Sequence, residues 1–469
     1  MTMISSRHLR LTTALFLLSS SLTACTSSES SSSGASAQSG GPAGSGAASK
    51  FFLPPNAPGG QPTNTSAPSV EIDGEDGIHT VYPAYAGGSA FYGYCGPGCT
   101  GPDDVKVVEL PTDGTVHNAM IALDRSGKPR LLLSTMTGVY YASCDGDCTV
   151  PEAWTSSVIV EHGGEREVTG EAFALDPDGR PRFLMHTYKA YLGVGQKAPE
   201  TFWVSCDEGC EAADGWRIGK ISNQMWRSSS LRFDADGRAH VATVANVDRT
   251  EYSSGKEMGA YAVCDGGCDR EEAWVGTGLA LAFESELDAV AVKPAISLAL
   301  TRAGKPRVVM LGMFEDTMKR NITYFECDDD CTGQGWTGSV LSDHEKVGAG
   351  LDLALDADDH PRFVHTLDYN IALAYCDEAS CSSPDAKWDL TKVEYGGEMK
   401  PDEIFLWENC TVGAWFLHSP SLALTSTGNA RVGYQARDIS GGFSNPDPAT
   451  KADCVAGTDM TWSRLAVMR

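Results

Sequence analysis

Positive charge is scarce in this chain. Lys and Arg total 36 against 62 Asp and Glu over 469 residues, a formal charge of −26. That balance excludes nucleic acid and anionic membrane surfaces as partners, because both select a cationic patch. It leaves divalent cations, neutral ligands and basic proteins compatible. Long apolar runs are also lacking. The run "LTTALFLLSSSLTA", Leu11 to Ala24, is too short to span a bilayer, and no later run is longer. Amphipathic periodicity of the helical kind is absent, which argues against a helical bundle. No G-x-S-x-G elbow, H-E-x-x-H, Walker loop or dinucleotide fingerprint occurs, so no ready-made catalytic motif is present.

What is there begins with an address. Arg7, His8 and Arg10 precede the apolar run, which ends in "LTAC", Leu22 to Cys25. This resembles the lipobox of bacterial lipoproteins. The resemblance implies cleavage before Cys25, diacylation of its sulfur and acylation of its new amine. Several acyl chains anchor stably where one does not. Residues 1–24 are therefore read as a lipoprotein signal peptide. Residues 25–68, rich in Ser, Gly and Pro, are read as a disordered tether without the apolar surface to fold. Thr26 after the cysteine resembles the enterobacterial pattern for the outer membrane, so the expected location is the bacterial cell envelope, lipid-anchored.

Fifteen cysteines minus Cys25 leave fourteen, and twelve of them form six clips such as "YYASCDGDCTVPEAW". An even count at regular spacing in an exported chain reads as a disulfide framework. Four residues of extended strand span roughly 13 Å, whereas bridged Cα atoms lie about 4.4–6.8 Å apart, so each clip must turn. The expected pairs are Cys95–Cys99, Cys144–Cys148, Cys206–Cys210, Cys264–Cys268, Cys327–Cys331 and Cys376–Cys381. Cys410 and Cys454 remain to tie a long insertion onto the last unit. Metal binding is the weaker reading of the clips. No histidine recurs beside them, so no zinc site or other cofactor is expected. Calcium on Asp145, Asp147, Asp207, Glu208, Asp328 or Asp330 is the one ion they could hold.

A second phrase precedes each clip: "ALDRSGKPRLLLS", "ALDPDGRPRFLMH", "RFDADGRAHVATV", "ALTRAGKPRVVML", "ALDADDHPRFVHT", "ALTSTGNARVGYQ" and a degenerate "EIDGEDGIHTVY". Its turns start at Asp73, Asp124, Asp176, Asp234, Thr301, Asp356 and Thr425, spaced 51, 52, 58, 67, 55 and 69 residues. Units of this length, each parsing into four short strands, predict an all-β seven-bladed β-propeller of four-stranded antiparallel blades over 69–469. A β-helix is the runner-up, but its coils are much shorter. The fourth strand is expected to begin near Trp154, Trp216, Trp274, Trp336, Trp388 and Trp462, with Val105 in the first unit. Every unit also carries a basic residue after the turn: His79, Arg130, Arg182, His240, Arg307, Arg362 and Arg431. A residue equivalent in every repeat belongs to the scaffold, through blade packing or the turn aspartate.

The L-D-x-x-G-x-P-R phrase resembles the repeat of bacterial sialidase-like β-propellers. It departs from their stricter S-x-D-x-G-x-x-W box, and no motif places the arginine triad or tyrosine–glutamate pair which that family uses. Function is expected where the units differ, on the face bearing the loops that lead into the innermost strands. Candidates there are His117, Glu171, Trp226, Arg227, Lys293 and His418, with Trp407 and Trp415 on the insertion. Aromatic and charged loop residues suit a carbohydrate or protein surface. The expected function is thus an exported binding or scaffold module for an extracellular glycan or envelope protein. The alternative is a sialidase-like glycoside hydrolase or polysaccharide lyase.

Overall fold

A computed structural model describes residues 49–469 except 56–64, 85–87, 136, 162–166, 189–199, 247–256, 283–294, 315–316, 318, 343–346, 369, 400–414 and 439–460. Cys25, Lys293, Trp407, Cys410 and Cys454 lie outside the described residues.

The chain folds into seven four-stranded antiparallel sheets, each running outward from an inner strand. The inner strands are Ser69–Ile72, Val116–Leu123, Glu167–Leu175, Trp226–Phe233, Ile296–Leu300, Val347–Leu355 and Trp415–Leu424. Each packs beside the next, and blade one's inner strand lies against those of both blade two and blade seven, which closes the ring. Blades one to six are continuous in sequence. Each inner strand alternates, with the residue three before the turn (Val70, Ile121, Phe173, Leu231, Leu298, Leu353 or Leu422) buried between blades.

Blade seven differs from the sequence expectation. Its outermost strand is Ser49–Phe52, paired with Thr461–Val467, so the propeller begins within the segment read as tether. Phe51, Phe52 and Leu53 are buried. Thr65 continues this clasp, accepting from the Ser463 amide (2.8 Å). Trp462 accordingly sits on the third strand of its blade and not the fourth, and packs with Trp415 (5.3 Å) and Phe52 (5.7 Å). The N-terminal strand thus holds the last blade by pairing residues about as far apart as the chain allows. A buried ion pair joins blades six and seven: Arg464 donates from Nε and Nη2 to Glu394 (both 2.7 Å), and Tyr434 donates to the same carboxylate (2.6 Å).

The repeated phrases explain one another. The turn aspartate's Oδ1 accepts the backbone amides two and four residues on, as Asp124 does from Ser126 (2.8 Å) and Lys128 (3.0 Å). Its Oδ2 takes Arg130 Nη2 (2.8 Å), which also reaches the first clip aspartate, Asp145 (2.6 Å). Arg130 Nη1 donates to the Cys144 carbonyl (2.9 Å). Arg362 repeats this with Asp356, Asp377 and Cys376, and Arg182 with Asp176, Asp207 and Cys206. Charge-assisted forks of this kind fix geometry as well as contribute energy. The acidic clip is therefore an anchor for the repeat arginine. All six short clips are disulfide-bonded, with Cα–Cα distances of 5.5–6.1 Å. The tryptophan that follows donates to the second cysteine's carbonyl, at 3.0 Å for Trp154. Its ring packs on an aromatic of the preceding blade: Trp154 on Tyr92, Trp216 on Tyr141, Trp336 on Tyr261 and Trp388 on Tyr324.

Candidate functional site

The inner strands meet at the axis, and two of their positions decide what lines it. Four residues before the turn stand Ser69, Met120, Ala172, Ser230, Ser297, Asp352 and Ser421. Here a hydroxyl or carboxylate stitches one blade to the next by accepting its backbone amide. Ser230 accepts from Leu298 (3.2 Å), Ser297 from Leu353 (3.1 Å), Asp352 from Leu422 (2.8 Å) and Ser421 from Val70 (3.1 Å). Asp352 is also bonded by the Ser297 hydroxyl (2.9 Å), and burial raises its pKa despite those donors. It takes the structural place of a serine.

Two residues before the turn the pattern is Ala122, Ala174, Ala299, Ala354 and Ala423, but Glu71 in blade one and Arg232 in blade four. Alanine fits there because the position lies between adjacent inner strands; Ala174 and Ala423 pack into the cores shared with the following blade. The two long side chains instead line a cavity of about 360 Å³, together with Phe173, Ala174 and the turns of blades one and two. Glu71 makes no hydrogen bond or ion pair among the described residues. The hydrogen bond of Arg232 is its own-strand contact from Nη1 to the Leu231 carbonyl (2.9 Å). Burial pushes the Glu71 carboxyl up to about 7; Arg232 opposes the shift and Asp352 adds to it. Unpaired opposite charges beside one cavity are costly to hold, and such groups cluster at functional sites. The signal for these two residues in the sequence is "EID" and "RFD" where other units have "ALD", within the repeated phrase and not in the variable loops.

This cavity lies at the channel end that carries the Asp-x-x-Gly turns, opposite the face expected to bind. Of the residues proposed from sequence on that other face, Lys293 and Trp407 lie outside the described residues and the others are placed as follows. Glu171 is 1% exposed; its Oε1 accepts the Ser229 amide (3.1 Å), stitching blade three to blade four, and Oε2 lies 3.6 Å from His186 Nε2. Arg227 pairs with Glu257. Trp226 is half-buried, its ring edge-on to Trp274 at 5.7 Å. His117 stays in blade two's inner strand. Two candidates are corrected outright. Trp415 does not overhang the face but is buried against Phe52 and Trp462, and His418 is fully buried, bonded to Ser419 Oγ (2.8 Å) and set against Phe416. For Trp415 the cause is the clasp strand, whose Phe52 ring lies 6.2 Å from its own.

The clip carboxylates considered for calcium face protein groups. Asp145, Asp207 and Asp328 meet Arg130, Arg182 and Arg307. Asp147 accepts from Thr149, and Asp330 from the Gln334 amide. Asp356, His360 and Asp377 are close enough to share a cation. Arg362 Nη2 already bridges the two aspartates, at 2.6 and 2.5 Å.

No protein-family model matches the chain, and no curated protein matches it. Among solved structures, the polysaccharide lyase Uly1 aligns at 9% identity over 90% of this chain and 97% of its own, with a TM-score of 0.47. A protein of unknown function from Dyadobacter fermentans aligns at 12% identity over 90% and 98%, with a TM-score of 0.44. A NanB sialidase from Streptococcus pneumoniae aligns at 11% identity over 89% and 70%, with a TM-score of 0.41. Likeness at this level concerns blade architecture, and no residue role passes from it.

Proposed function

We propose that this chain is an exported, lipid-tethered β-propeller that serves as a binding module at the bacterial envelope, with its ligand site in the axial channel. The ligand is a glycan or an envelope protein whose polar end enters the channel. One observation carries the reading: at a position that is alanine in five blades, blades one and four place Glu71 and Arg232 beside the same cavity, neither paired to a partner side chain among the described residues. The scaffold needs neither side chain, so a ligand is the reason to keep both. Cys25 supplies the tether, and the net charge keeps nucleic acid away.

A glycan and peptide array probed with the wild type and with the Glu71→Ala/Arg232→Ala double variant tests this. Hits expected for the wild type vanish in the variant; hits retained undiminished in a folded variant overturn the site. Turnover measured on those hits separates the module from a second reading, a lyase or hydrolase. A Glu71 carboxyl with a pKa of about 7 favours that reading, because such a group can move protons near neutrality.

A further inference from the structure

The channel cavity has a chemistry more specific than "polar". The cavity is lined by a carboxyl, Glu71, and a guanidinium, Arg232, which form no ion pair with each other or with any other side chain among the described residues. A group inserted between them must satisfy an anion on one side and a cation on the other. The rest of the lining is mixed, with Asp73, Asp124 and Arg125 from the turns beside the apolar Ala122, Ala174 and Phe173. The volume of about 360 Å³ suits a ligand of a few heavy atoms to a small oligomer end, not a polymer body.

We propose that the Glu71–Arg232 cavity binds a small zwitterion of the α-amino-acid class, its carboxylate on the Arg232 fork and its ammonium at Glu71, with an apolar side chain against Phe173. This rests on the channel-binding reading and goes beyond it by naming the ligand's chemistry. Arg232 offers a planar fork that matches a carboxylate. Asp352 does not compete for the ammonium, since both its oxygens already accept hydrogen bonds from protein. Asp73 and Asp124 at the rim are held by His79 (3.1 Å) and Arg130 (2.8 Å). The other titratable side chains described on strands packed against blade one's inner strand are Tyr82, His117, His418, Arg431, Tyr434 and Arg437. Arg125 stands on the blade-two turn. Arg232 and Asp352 are the charges that act on Glu71.

Linkage gives the proposal a sign. An ammonium beside Glu71 favours its ionised form, so its pKa falls from about 7 on binding and a proton is released. Affinity should then rise between pH 6 and 8. A ligand carrying only a carboxylate would do the reverse and bind tighter at pH 6.

The test is calorimetric titration of the full chain, disulfides intact, with glycine, alanine and leucine, in two buffers of different ionisation enthalpy. Glucuronate and glucosamine serve as controls that carry one charge each. The expected result is binding of the amino acids with proton release, at least tenfold weakened in both Glu71→Gln and Arg232→Ala. Glucuronate binding that survives Glu71→Gln, or glucosamine binding that survives Arg232→Ala, overturns the zwitterion while leaving a channel ligand site. Absence of amino-acid binding to folded protein at millimolar concentration also overturns it. If the array hits described above are unaffected by the double variant, it is the channel reading itself that fails.

Discussion

At the scale of single residues, the scaffold and the site obey opposite rules. Residues that recur, such as Arg130 and Asp145, are paired, whereas Glu71 and Arg232, in otherwise alanine positions, have no side-chain partner among the described residues. Arg130→Ala should therefore cost about 1–3 kcal/mol, because it takes the arginine donor from Asp124 Oδ2 and from the Cys144 carbonyl. Chemical denaturation of the variant measures this. Glu71 carries the opposite expectation. Its folded pKa lies above its unfolded one, so the stability it contributes is full below about pH 4.5 and lost as pH rises through about 7. Glu71→Gln should remove that loss and be relatively more stable at pH 8 than at pH 5, by at most about 3 kcal/mol. The buried histidines tilt the curve the other way. Burial lowers His365 to about 4, so its stabilisation is lost as pH falls below 6.5. The comparison must therefore be made as a difference between variant and wild type across pH, and a difference that does not change with pH would remove the basis for an unusual Glu71.

At the scale of elements, the clip, its tryptophan and the repeat arginine form one unit. Replacing Cys144 and Cys148 together by alanine should cost about 2 kcal/mol, the loop-entropy value for so short a ring. Trp154→Ala should cost more, about 3 kcal/mol, since it loses both the contact with Tyr92 and the bond to the Cys148 carbonyl. Urea titration of the two variants ranks them directly. These elements were legible because they recur: a turn aspartate, a proline, an arginine and a cysteine pair, repeated at blade spacing, restrict the fold to little else. The clasp strand Ser49–Phe52 was not legible. "SKFF" is four residues inside Ser-, Gly- and Pro-rich chain, and its partner lies at the opposite end of the sequence, so no local pattern announces it. Its pairing is non-local, and so is its effect. Its Phe52 packs on both Trp415 and Trp462, which is why the loop expected for Trp415 and the fourth strand expected for Trp462 were both misplaced.

At the scale of the whole molecule, the ring makes the axis the place where blades that differ can cooperate. Glu71 and Arg232 are 161 residues apart in sequence, and only closure of the propeller brings them to one cavity. Each departure could be read from the aligned repeats, but their convergence could not, because it depends on the angular order of the blades. The proposed envelope address is a separate matter and rests on the N-terminal motif. Cys25→Ser is expected to release a folded propeller from the membrane fraction, and retention of that variant would count against the lipid anchor.

The most direct measurement of the central claim is thermal denaturation of the wild type and the Glu71→Ala/Arg232→Ala variant, each with and without millimolar leucine. Because five blades already carry alanine at this position, the variant should melt no lower than the wild type, and leucine should raise Tm only in the wild type. A variant that melts far below the wild type, or that gains as much from leucine, would show that these two residues serve the scaffold and not a ligand.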